Sequence, residues 1–132
     1  MIIGDIRDLR ELTQVIGTRP LGFASIDVDI YSSTKAILSL LGNSPTKALL
    51  PTTSLHFDDV WDRFHYSKFA GELLAIAEFN EEYESRGIDV DRSVEYWHNG
   101  RKPWHASMYA LHTFDLQPQL NPIERPQKVI RA

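Results

Sequence analysis

Two stretches of the chain read as strands that run into aspartates, the first of them almost continuously apolar. Positions 21–28 read LGFASIDV and positions 48–57 read ALLPTTSLHF; Asp27 and Asp29 close the first, Asp58 and Asp59 the second. The first run, with little alternation, suits a buried strand of a parallel sheet, and the second is the next strand candidate. Pro51 weakens the start of the second run, because proline cannot donate to a ladder. Elsewhere the apolar positions recur at threes and fours. Ile6, Leu9, Leu12, Val15 and Ile16 predict a helix over 6–16 that Gly17 ends. A second helix is predicted over 34–41, with Ser32 or Ser33 as its cap and Gly42 as its stop. The longest is predicted over 67–84, with Phe69, Leu73, Ile76, Ala77 and Tyr83 inward, a solvated tail from Glu78, and Gly87 as its stop.

The remaining apolar pattern is that of strands. A short run at 1–4 stops at Gly4-Asp5, positions 90–97 alternate, Asn99-Gly100 is a turn pair, and 108–114 reads as a closing strand. The order strand, helix, strand, helix, strand, long helix, strand, strand predicts an α/β fold. Its sheet is expected to be mostly parallel and covered by helices, with an antiparallel C-terminal hairpin at its edge. One domain is expected over 1–116; 117–132, with three prolines, is expected to be loop or tail.

Composition narrows the partners more than the fold. A net charge of -4 argues against a surface built to neutralise phosphates, so no nucleic acid is expected. There are no cysteines, which removes disulfides and thiolate metal sites and leaves oxygen and imidazole as the only metal donors. No stretch approaches the roughly 20 apolar residues of a membrane span, and the charged start MIIGDIRDLRE is unlike a signal peptide; a cytoplasmic protein without a membrane partner is expected.

Open α/β sheets bind ligands beyond the carboxyl ends of their strands, and that is where Asp5, Asp27, Asp58 and Asp59 are expected. Asp27, Asp58 and Asp59 form an anionic, oxygen-only set suited to magnesium or a similar hard divalent cation. The same aspartates read equally as helix caps, Asp29 and Asp59 above all, and as solvated loop carboxylates. His56, two positions before Asp58 and on the same side of an alternating strand, is a candidate base or further ligand, or else a half-exposed strand histidine. Tyr31 and Trp61 follow the two acidic sites and are candidate walls of a substrate pocket, or packing aromatics. Glu72 reads as a first-turn carboxylate on the helix dipole, with the alternative that it reaches into the site. Asn80, a poor helix former in mid-helix, points to a side-chain hydrogen bond.

These residues also carry a resemblance. The stretch IDVDIYSSTKAILSLL resembles the strand-four motif of the macrocin-type O-methyltransferases, and HFDDV resembles the strand that follows it in that class I S-adenosylmethionine-dependent family. The stretch from FAGELLAIAEFNEE onward is similar to a bacterial branch of these proteins, and the topology resembles catechol O-methyltransferase more distantly. The likeness spans about 1–114. It implies a Rossmann-like sheet in which a divalent cation on Asp27, Asp58 and Asp59 orients an acceptor hydroxyl beside the methyl donor, with Asp58 as base and His56 beside it. It further implies that Gly4, Asp5 and Asp27 face the donor, S-adenosylmethionine. The lysine base of the catechol type falls near Ile30, which cannot do that work.

The family's first two strands, with the glycine-rich turn that holds the donor, have no counterpart here, so the likeness is to the C-terminal two thirds of that domain. The chain is therefore expected to be inactive alone and to expose an apolar sheet face or edge, through which it could form a homo-oligomer. Two further readings stand beside an O-methyltransferase-like protein acting on a small-molecule hydroxyl: a non-enzymatic remnant or self-associating module, and a metal-dependent hydrolase using the same aspartates.

Overall fold

A computed structural model of the chain describes residues 4–60, 67–97 and 102–117. Four strands make one sheet: β1 (Leu21–Ile26), β2 (Leu49–Phe57), β3 (Arg86–Val90) and β4 (Met108–Thr113), in the order β1-β2-β4-β3. β1 and β2 are parallel, while β4 is antiparallel to both β2 and β3. The fold is mixed α/β as expected, but the sheet is not mostly parallel by pairing. The reversed strand β4 lies between β2 and β3, so those two share a direction without touching. The expected antiparallel hairpin edge is present as β3 and β4, joined by a connection that holds the short helix α4 (Ser93–Trp97) rather than a tight turn.

Alternation decides what each face of the sheet meets. Ile26, Leu55, Phe57, Ile88, Tyr109 and Leu111 point to one side, where they pack with Leu38, Leu41, Ala75, Ile76 and Phe79. Those partners belong to α2 (Tyr31–Gly42) and α3 (Gly71–Glu82), which lie against each other over this face. The two helices are clamped at their surface: the Tyr31 hydroxyl donates to Glu78 at 2.6 Å, and Lys35 reaches Glu78 at 2.8 Å and Glu82 at 2.5 Å. The expected solvated tail from Glu78 is thus partly engaged with α2. On the opposite face stand Phe23, Ser25, Ser54, His56, Met108 and His112, with Phe23 56 % exposed.

Arg86 joins the far ends of these elements. Its guanidinium is buried and donates to the carbonyls of Leu41, Gly42 and Ser44 at the end of α2, where a cation meets the negative pole of the helix. Tyr83 packs against Gly42 so closely that a Cβ there would collide with its ring.

Several expected boundaries move, each for a local reason. The predicted helix over 6–16 is a 3-10 turn at Ile6–Asp8 and the short α1 (Thr13–Ile16). Between them Gln14 Oε1 takes the amides of Arg10 and Glu11 at 3.2 Å, giving the backbone a partner other than the helix. α2 begins at Tyr31, so Ser32 and Ser33 are inside it and do not cap it; the cap position is Ile30. α3 starts at Gly71, whose φ of 56° is a conformation that glycine adopts without strain. Gly87 is not a helix stop but lies within β3. The predicted strand over 90–97 is displaced to 86–90, because Asp91 accepts from the Ser93 amide at 2.9 Å and turns the chain into α4. Gln117, where a tail was expected to begin, is buried and donates to Thr52 at 3.1 Å. Of the expected first strand over 1–4, only Gly4 is among the described residues, and it lies in a bend.

Candidate functional site

The parallel register brings the two acidic strand ends together. Ile26 pairs with Phe57, and the ladder runs one residue further: the Asp58 amide donates to the Ile26 carbonyl at 3.2 Å. Asp27 and Asp58 therefore leave the sheet side by side, both exposed. Asp59 comes next, half-buried, and its amide donates to Glu72 Oε2 at 3.0 Å. Asp29 does not cap α2 and Asp59 does not cap α3; the cap positions of these described helices are Ile30 and Ala70.

Glu72 is the residue whose place the sequence reading did not settle. As the second residue of α3 it was expected to sit on the helix dipole in solvent, yet it is only 1 % exposed. The turn at Gly71 starts the helix abruptly, and Glu72 then occupies the same buried stripe as Ala75, Ile76 and Phe79. Its Oε2 holds the Asp59 amide, while its Oε1 is buried without a hydrogen-bond partner among the described residues. Burial pushes the carboxyl up to about 7; the Asp59 amide opposes this, and the charges of Asp59, Asp58 and Asp27 add to it. The charges of three aspartates thus reach Glu72 at this corner. Tyr109 borders it from β4, packed edge-on to Phe57 at 5.2 Å, with its phenol pushed up by burial and then by the charge of Glu72.

The other predicted site residues are placed as follows. His56 lies on the opposite face of the sheet from the core, its Nδ1 3.2 Å from Ser25 Oγ, while Leu55 and Phe57 on either side of it are buried. Asp58 follows on the His56 side, and Asp59 turns back toward Glu72. Asp5 caps the 3-10 turn, accepting from the Arg7 amide at 2.9 Å and pairing with its guanidinium, which lowers its carboxyl to about 2. The Arg7 pair and the cap engage Asp5 locally, beside Gly4, and the turn that follows packs on α2. Tyr31 directs its hydroxyl to Glu78 on α3. Trp61 lies outside the described residues. Asn80 makes the side-chain hydrogen bonds its position suggested: it donates to the Ile88 carbonyl at 2.8 Å and accepts from the Ile88 amide at 2.7 Å.

The donor chemistry of Asp27, Asp58 and Asp59 suits a hard cation, and the unbalanced negative charge around Glu72 is of the kind a cation offsets. Their spacing does not close a site: among the described residues no group of three or more His, Asp or Glu could hold a metal ion. Of the further contributors, Glu72 was given from sequence as a first-turn carboxylate with the alternative that it reaches into the site, and Tyr109 was not singled out. The signal for Glu72 was present, since it falls on the i, i+3, i+4, i+7 stripe with Ala75, Ile76 and Phe79. Nothing local marked Tyr109, whose place depends on β4 pairing with β2.

Compared with family models, with curated proteins and with solved structures, the chain matches none.

Proposed function

We propose that the chain is an O-methyltransferase-like domain whose acidic corner receives the hydroxyl of a small-molecule acceptor. The observation that carries this reading is the parallel register of β1 and β2, which sets Asp27 beside Asp58 beyond the carboxyl ends of two adjacent strands. Open α/β sheets place their ligands at such ends. The Rossmann-like reading of the sheet draws on the shared direction of β1, β2 and β3 and on the crossovers through α2 and α3. β1 is an edge strand, against which further parallel strands of such a sheet would pair.

In this reading the exposed Asp58 carboxylate accepts the proton of the acceptor's hydroxyl, and bound S-adenosylmethionine would supply the methyl group. Glu72 holds the Asp59 amide and so fixes the turn that carries both aspartates. S-adenosylmethionine and a divalent cation are the cofactors the reading calls for; because the described side chains do not close a metal site, no step is assigned to the ion.

The test is calorimetric titration of the chain with Mg2+, with S-adenosylmethionine, and with both. Saturable Mg2+ binding that Asp58→Asn abolishes supports the reading, and donor binding in addition would assign the chain a donor site of its own. No Mg2+ binding overturns it. Magnesium-dependent release of phosphate from a phosphate ester, lost in the same variant, would replace it with a hydrolase. One observation favours a second reading, a self-associating module: the free edge of β1 carries Phe23, 56 % exposed. A stable dimer without affinity for Mg2+ would support that reading instead.

A further inference from the structure

The helices α2 and α3 pack on one face of the sheet, and among the described residues no helix lies over the face that carries Phe23, Ser25, Thr52, His56, Met108 and His112. β1 and β2 are parallel, and parallel strands are ordinarily covered on both sides. The chain leaves the described residues at this open face. Gln117 is buried there: its side-chain amide donates to the Pro51 carbonyl and to Thr52 Oγ1 at 3.1 Å, and lies 3.3 Å from Nδ1 of His112, the residue that pairs with Thr52 across β2 and β4. Positions 118–132, outside the described residues, read PQLNPIERPQKVIRA. Leu120, Ile123, Val129 and Ile130 are apolar, and Arg125, Lys128 and Arg131 stand against the one acidic side chain, Glu124. The far end of the open face is acidic. Asp27 and Asp58 are exposed beyond β1 and β2, with Asp58 on the His56 side, and neither pairs with a cation among the described residues.

We propose that the segment 118–132 docks across the open face of its own sheet, running from Gln117 toward the strand-end aspartates, with its apolar residues on Phe23, His56 and Met108 and its cations on Asp27 and Asp58. The reach is sufficient. From Thr52 to Asp58 the strand β2 and its end extend about 20 Å, and an extended, proline-bearing chain covers about 25 Å between Gln117 and Arg125. Pro118, Pro122 and Pro126 have no amide to donate, so the segment suits lying over side chains better than adding a ladder strand at an edge. Exposed ion pairs are worth little each, so burial of Phe23 under the apolar residues supplies most of the attraction and the charges set its direction. The proposal goes beyond the reading of the acidic corner and does not depend on it, since the segment would lie over Asp58 whether or not an acceptor hydroxyl is received there.

The chain has no cysteine, so Gln127→Cys gives the full-length protein a single attachment point for a nitroxide label. In the isotope-labelled chain the expected result is loss of amide signal centred on Ser25, His56 and Met108, with the outer residues Lys35 and Glu82 of the two helices least affected. Loss centred on α2 or α3, or no loss beyond the segment itself, overturns the proposal and leaves the reading of the corner untouched. The same loss with label and isotope on different chains also overturns it, in favour of a second copy's segment. If the labelled chain does not fold, carbodiimide cross-linking of the wild type decides: a bond from Lys128 to Asp27 or Asp58 within one chain supports the proposal, and Lys128 left unlinked or linked only to other carboxylates overturns it.

Discussion

At the scale of single residues, Glu72 couples folding to pH. Between about pH 4.5 and 7 the carboxyl is ionised in the unfolded chain and protonated in the fold, so folding takes up a proton. Its contribution is most favourable below pH 4.5 and is lost as pH rises through about 7. In metal-free buffer, denaturant unfolding of the wild type should lose up to about 3 kcal/mol between pH 5 and 8 from this group. Glu72→Gln should flatten that slope and be the more stable protein at pH 8. An unchanged slope in the variant would show that Glu72 is not the group responsible. Asn80 and Glu72 show what could be read locally. Both are polar residues in a helical window, and a polar residue where helix propensity or the apolar stripe argues against it has to find a partner. Asn80 was legible on that ground, and its partner is the backbone of Ile88. Glu72 was legible as a stripe residue but not as a buried one, because its burial comes with the packing of α3 on α2 and β3 and with the turn after β2, whose Asp59 amide it accepts.

At the scale of elements, the strand-end aspartates and the strands β1 and β2 were legible because apolar runs and their breaks are local, although both strands are buried on one face only and not covered on both. The start of β3 was not. Its place is set by Arg86, whose guanidinium satisfies carbonyls of α2 more than forty positions earlier in the chain. Arg86→Met should therefore do more than remove a charge, since it takes the guanidinium from the carbonyls of Gly42 and Ser44 and leaves that of Leu41 only the Ser44 amide. A loss of about 2–4 kcal/mol is expected in denaturant unfolding, with increased amide exchange at Leu41 to Ser44. A loss under about 0.5 kcal/mol would place Arg86 among ordinary surface residues. The early helix failed for the opposite kind of reason: Asp5, Glu11 and Gln14 use their side chains on nearby backbone amides or hydroxyls, and the apolar spacing could not reveal that competition.

At the scale of the molecule, both described helices of any length lie on one face of the sheet, while parallel strands are ordinarily covered on both. Among the described residues no helix covers the other face, and that face meets the edge strand β1 at Phe23. Phe23→Lys should leave the unfolding midpoint within about 0.5 kcal/mol of wild type, because the side chain is mostly exposed. It should also abolish any concentration-dependent association seen by light scattering; association that persists unchanged would locate the contact elsewhere. No described helix is long and apolar enough to cross a membrane.

The sequence by itself determined the elements whose cause is local: two strands ending in aspartates and a helix after each, while the turn pair Asn99-Gly100 lies outside the described residues. It also determined which residues could do acidic chemistry, because only carboxylates and histidines were present to do it. Only the tertiary structure decided which of those residues meet. Parallel register set Asp27 beside Asp58, strand alternation sent His56 to the far face, and the reversed strand β4 brought Tyr109 to the corner. Packing of α3 under the sheet end buried Glu72. Each of these follows from pairing between segments far apart in the chain, a relation that hydrophobic period and propensity do not encode.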